Sequence, residues 1–129
     1  MSRVSRDTAP EQNDFGLGHE ATDHFHDYTV QFVSIREGHS LAEMLKGLPE
    51  DSCHCPHWGY VMSGQITVQY TDGHEDTIKA GDAYYMPPGH VPSAIAGTEF
   101  VIFSPQAELE TTMAQIGANM QRLTGQTTP

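Results

Sequence analysis

Hydrophobic and polar positions alternate over 28–35, with Val30 and Phe32 falling on one side and Thr29, Gln31, Val33 and Ile35 on the other. This is the period of a β-strand with at least one buried face. Further on, the runs 58–62, 65–71, 75–79, 83–86 and 99–104 are of strand length and rich in Val, Ile, Tyr and Phe. Turn residues separate them: Ser63-Gly64, Asp72-Gly73, Gly81-Asp82, Pro87-Pro88-Gly89 and Ala96-Gly97. Asp72-Gly73 between two alternating runs predicts a tight hairpin. Many short strands joined by tight turns predict an all-β sandwich or small barrel.

Two segments carry the helical period instead. Ser40-Leu41-Ala42-Glu43 has the form of a capping box and predicts a short helix over 41–46, stopped by Gly47 and Pro49 and lying as a lid on the core. Ser104-Pro105 reads as an N-cap followed by the first helical position. Beyond it Leu109, Met113, Ile116, Met120 and Leu123 form one apolar stripe, predicting a C-terminal helix over 106–122. Such a stripe suits packing across the protein's own barrel, and equally a seam between two subunits. Residues 1–14 are polar and aperiodic, the pattern of a flexible tail or of an arm held by a partner subunit. The expected organisation is thus a tail over 1–14, a barrel over 15–104, a helix over 105–123 and a frayed end over 124–129.

Length and charge narrow the function classes. The 129 residues suffice for one domain. Six Lys and Arg against 17 Asp and Glu give a net charge of −11. Such a surface repels phosphate backbones and anionic lipid, so neither nucleic acid nor a membrane is an expected partner. No apolar run approaches the roughly 18 to 20 residues that span a bilayer, and a cytoplasmic location is expected.

Chemistry concentrates in 53–64, which holds both cysteines, two of the eight histidines and the only tryptophan. Cys53 and Cys55 are one residue apart, a spacing that strains a disulfide, so they read as free thiols or metal ligands. Alternation puts Cys53, Cys55 and His57 on one side of an extended strand and His54 on the other. On a straight strand Cys53 and His57 stand about 13 Å apart, too far to share an ion. Asp51-Ser52 and Pro56 offer a bend that would bring them together; without one, Cys55 and His57 are the adjacent pair, and a reversed parity would put His54 in place of Cys53. The plain alternative is that the cysteines and His57 are core residues. His19, His24 and His26 read as solvent-facing. Trp58, Met62, Tyr70, Tyr84, Met86, Phe100 and Ile102 are candidates to line an apolar interior, with one of Tyr84 and Tyr85 inside and the other out. A cysteine nucleophile is disfavoured, since no Asp or Asn partner is apparent.

Gly64, and then Gly81, Pro87 and Gly89 at their spacing, resemble the two motifs of a small single-domain cupin, a jelly-roll β-barrel. The resemblance covers residues 28–104. By the same spacing, Asp51, Cys53, His57 and Pro92 stand where the family carries three histidines and a glutamate, so all four ligand positions differ. What the resemblance implies is a barrel in which the proline-rich segment runs beside the first motif, so that His90 faces the same interior. Cys53, Cys55, His57 and His90 then form a candidate ligand set, which suits zinc, with iron or nickel next. The expected function is to hold a transition metal and a small organic molecule in the barrel, in an enzyme of unspecified reaction or in a non-catalytic sensor or structural module. The expected assembly is a homodimer.

Overall fold

The computed structural model describes residues 2–124. Ten strands precede one long helix: β1 Glu11–Asp14, β2 Gly18–Phe25, β3 Tyr28–Ile35, β4 His39–Ser40, β5 His57–Ser63, β6 Gln65–Tyr70, β7 Glu75–Lys79, β8 Ala83–Met86, β9 His90–Ala94, β10 Glu99–Pro105 and α1 Gln106–Thr124. They form a six-stranded sheet in the order β1-β2-β3-β10-β5-β8 and a four-stranded sheet in the order β4-β9-β6-β7. Every pairing between strands is antiparallel, and the result is a jelly-roll β-barrel.

The alternation in the sequence translates directly into an inside and an outside. On β5 Val61 is fully buried, whereas Trp58, Tyr60 and Met62 are 41–44% exposed. Trp58 and Met62, expected to line the interior, therefore face outward. On β8 Tyr84 turns inward and Tyr85 outward. Val61, Ile66, Val68, Ile78 and Met86 make the core, with Tyr70, Tyr84, Ala94 and Phe100 packed against it. Gly64, at φ +75°, closes the β5–β6 turn in the left-handed region, and a Cβ there would collide with Thr98.

Three expectations change. No helix forms over 41–46. Met44 and Leu45 each donate to the Leu41 carbonyl, but Gly47 at φ +99° stops the turn and a short 3-10 segment, Pro49–Asp51, follows. The Met44 and Lys46 carbonyls instead accept hydrogen bonds of 2.6 and 2.7 Å from the Asn119 side chain on α1, so the loop is held by the helix. Ser104 and Pro105 do not cap α1 but extend β10, where Pro105 pairs with Tyr28 and α1 begins at Gln106. The expected tail over 1–14 enters the sheet at its last four residues, as β1. Of the expected frayed end, 125–129 lie outside the described residues.

Part of the apolar stripe of α1 lies on its own barrel, with Leu109 buried and Ile116 and Met120 half-buried, whereas Met113 and Leu123 are exposed. Leu109 joins Leu45, Cys53 and Cys55 in a second apolar cluster. That cluster places the helix beside the first cysteine.

Candidate metal centre

The site is built by one turn and one bend. Pro87-Pro88-Gly89, with Gly89 at φ +92°, swings the chain so that His90 starts β9 alongside Cys53. Cys53 N donates to the His90 carbonyl at 2.9 Å, and Gly89 N and His90 N donate to the Cys53 carbonyl at 2.9 and 3.2 Å. The chain then bends at Cys55 before entering β5 at His57. As a result Cys53 Sγ is 3.6 Å from His57 Nε2. The His57 and His90 rings have centroids 4.9 Å apart at 58°. One ligand atom from each of Cys53, His57 and His90 lies within 4.8 Å of the other two, and all three residues are buried.

Each imidazole is oriented from behind. His90 Nδ1 lies 2.6 Å from the Pro87 carbonyl, which can only accept, so Nδ1 carries the proton and Nε2 is bare. His57 Nδ1 meets Ser104 Oγ at 2.7 Å, leaving its Nε2 toward Cys53. Burial, and secondarily the neighbouring His90, holds the His57 pKa down to about 3. Burial likewise lowers His90, against the pull of the Pro87 carbonyl. Burial raises the Cys53 thiol, opposed by the Cys55 backbone and the Thr112 hydroxyl. Two neutral imidazoles and a neutral thiol therefore converge, and of their facing atoms His90 Nε2 has no partner.

This donor set fits a transition metal. His90 Nε2 is buried and has no hydrogen-bond partner, which is uncommon for a buried polar atom. An outer partner on the second ring nitrogen is what metal-binding histidines have. Zinc bond lengths imply ligand atoms about 3.3–3.8 Å apart in a tetrahedral site, and the 3.6 Å between Cys53 Sγ and His57 Nε2 falls in that range.

Cys55, the fourth expected ligand, is not brought into the group. Its Sγ faces the carbonyls of Pro56 and Pro105 at 3.6 and 4.0 Å. Burial, then Cys53 and Glu108, pushes its thiol up to about 12. His54 points elsewhere, its Nε2 at 2.9 Å from the Pro49 carbonyl. His19 and His24 pair with Gln12 and Glu11 on the outer edge of the sheet. Ser104 and Thr112 were not recognisable as site residues. Ser104 reads as a cap, and Thr112, 3.8 Å from Cys53 Sγ, reads as an ordinary helical position.

The three residues open into a cavity of about 340 Å³ between the sheets and α1. Val33, Ile35, Ile66, Met86, Phe100 and Ile102 give it apolar walls, and α1 closes one side with Leu109, Ile116 and Met120. Glu20 is the one acidic side chain among the described lining residues, which include no Lys or Arg. It accepts from Asn13 and Gln31 at 3.2 and 3.4 Å.

Comparison with known proteins agrees with this architecture. The family model described as Cupin domain matches residues 50–99. A Rhizobium leguminosarum protein of unknown function has a similar structure, with a TM-score of 0.59 and 18% identity over 81% of this chain and 95% of that one. An RmlC-like cupin from Shewanella frigidimarina has a TM-score of 0.53 and 20% identity over 81% and 92%. The polyketide cyclase RemF from Streptomyces resistomycificus has a TM-score of 0.56 and 15% identity over 82% and 80%. No curated protein sequence matches the chain.

Proposed function

The chain is a small protein of the cupin superfamily, and from that premise we propose that it binds one transition metal through Cys53, His57 and His90 and holds a small organic molecule against it. The observation that carries this reading is the bare, fully buried Nε2 of His90 beside the Cys53 thiol and the His57 ring. An uncompensated buried acceptor costs about 1–3 kcal/mol, which a bound cation would recover.

Three protein ligands leave a coordination position for water or ligand, whereas four would close a zinc site. A bound metal would act there as a Lewis acid. One thiolate and two imidazoles favour zinc, with iron(II) or nickel behind it. The apolar walls select a molecule with a mainly hydrocarbon body and one donor group for the metal, because the described lining residues include no Lys or Arg to neutralise a second negative group. RemF is an enzyme that shares the fold, which supports a catalytic use of the open position. Two free, buried thiols support a reducing, cytoplasmic setting.

One contact favours a non-catalytic sensor as the second reading. Thr112 touches Cys53 and sits on α1, so occupancy of the site is felt by a helix that forms a cavity wall. The test is elemental analysis of purified protein, expected to find about one zinc, iron or nickel per chain, and less than a tenth of that in Cys53→Ser and His90→Ala. Full metal content in both variants, or none in the wild type after reconstitution, overturns the reading. Turnover of a small apolar compound found by thermal-shift screening separates the enzyme from the sensor.

A further inference from the structure

The cavity is apolar along most of its walls and polar at one place away from the metal centre. Glu20 on β2 is the cross-strand partner of Asn13 on β1 and of Val33 on β3, and Val33 is in turn the partner of Phe100 on β10. All four line the cavity, so one inward rung of the sheet ends in a carboxylate and an amide. Gln31, two residues before Val33 and on the same face, adds a second amide and is itself buried. The two amides donate one hydrogen bond to each Glu20 oxygen, which fixes the carboxylate in place.

The carboxylate is held but not neutralised. Among the described residues Arg6 pairs with Glu99, Arg36 with Asp14 and Lys46 with Glu43, and no cation pairs with Glu20. A carboxylate has about four acceptor positions, of which the amides take two, at 3.2 and 3.4 Å, the long end of the hydrogen-bond range. Sheet register gives its place relative to the metal centre. Gln31 is level with Gly59 through Ile102, two residues beyond His57 along β5. Standard strand spacing then sets Gln31 about 12 Å from His57, and Glu20, one strand and one rung further, about 20 Å away on a flat sheet, a distance that the curl of the barrel shortens. Val33, Phe100 and Ile102 line the path between them.

We propose that Glu20, set by Asn13 and Gln31, is a second recognition point in the cavity and takes the ammonium group of a ligand whose other end reaches the metal. The inference rests on the metal-binding reading above and names its ligand class: a long-chain amine with a hydrocarbon body and a metal-binding donor at the far end. Charge decides for an ammonium over a hydroxyl. A cation gives an unpaired carboxylate between apolar walls both a hydrogen bond and a Coulomb attraction, where a neutral hydroxyl gives the hydrogen bond alone. A second carboxylate at this end of the ligand would meet Glu20 and be rejected. The net charge of −11 works in the same sense, drawing cations toward the cavity and repelling anions. Glu20 touches the ligand and not the metal, so its part is to select.

The test is calorimetric titration of the zinc-loaded chain with three probes of one length: 10-aminodecanoate, decanoate and decanedioate. The amino acid is expected to bind at least tenfold tighter than decanoate, with decanedioate weakest. Glu20→Gln keeps an acceptor oxygen and removes the charge; in it the preference for the amine should fall below about twofold, with zinc content and decanoate affinity unchanged. Should that variant unfold, the wild type still locates the contact, because the Gln31 side-chain amide resonance is expected to move with 10-aminodecanoate and not with decanoate. If the chain retains no zinc, the metal-binding reading fails by itself, and decylamine against decanol on the metal-free protein reads Glu20 alone, with the same tenfold preference expected and the same loss in Glu20→Gln. Equal affinity for charged and neutral ends in the wild type, or a preference that survives Glu20→Gln, overturns the proposal.

Discussion

The Cys53 thiol lies 3.6 Å from His57 Nε2, although four residues along a straight strand would separate the two by about 13 Å. The bend at Cys55 closes that gap, and it leaves the Cys55 Sγ facing the carbonyls of Pro56 and Pro105. Two of the three candidate ligands, Cys53 and His57, are therefore spaced i, i+4 along the chain, with Cys55 left as a packing residue.

Ser104 orients His57 from behind, so Ser104→Ala should weaken zinc affinity about 10–100-fold while leaving the fold intact. Competition with a chromophoric chelator measures this directly. Unchanged affinity would mean that the Ser104 hydroxyl does not set the ring.

The metal-stripped protein should lose stability as pH falls from about 6.5 toward 3. His57 titrates near 6.5 in an unfolded chain and near 3 in the fold. Between those values the unfolded state binds the extra proton, so each step down in pH favours unfolding. His90 adds in the same direction. Below about 3.8 Asp14, held down to about 2 by Arg36, joins them. Urea titrations from pH 7 to 4 should show the loss, and His57→Gln should flatten the slope over that range.

Asn119 ties α1 to the 41–48 loop through the Met44 and Lys46 carbonyls and is itself buried. Asn119→Ala strands both carbonyls and should cost about 1–3 kcal/mol. Hydrogen exchange is expected to accelerate in α1 before the strands. A uniform change across the molecule would contradict the latch.

Gly59 lies on β5 under the Tyr84 ring. A methyl group there would stand 2.7 Å from Tyr84 Cζ and closer still to the Val101 carbonyl. Gly59→Ala should therefore destabilise by about 1–3 kcal/mol, read as a lowered melting temperature. A neutral result would contradict the close approach of the Val101 carbonyl and Tyr84 to Gly59.

What was legible in the sequence followed from local periodicity. The strands β3, β5, β6, β8 and β10 and the helix α1 all carry a hydrophobic period, and Asp72-Gly73 marks the hairpin that adds β7, whose only apolar residue is Ile78. β2 was not legible, because His19, Glu20, Thr22, Asp23 and His24 are polar on both faces; its pairing with β3 along its whole length makes it a strand. The helix expected at 41–46 failed for the converse reason. Its capping signal is real, since Ala42 N donates to Ser40 Oγ, but the chain makes a single turn onto the Leu41 carbonyl before Gly47 at φ +99° stops it. In the site, residue types and proximity in the chain pointed to Cys53 and His57, while the exclusion of Cys55 depends on a bend that composition does not encode.

The paired backbones of Cys53 and His90 have a last consequence. A thiol and an imidazole on the two residues of one antiparallel bridge are held together by the backbone itself, so coordination there would be the filling of a finished socket. Chelation should then empty the protein without melting it, and the cation should come and go many times over an unchanged scaffold.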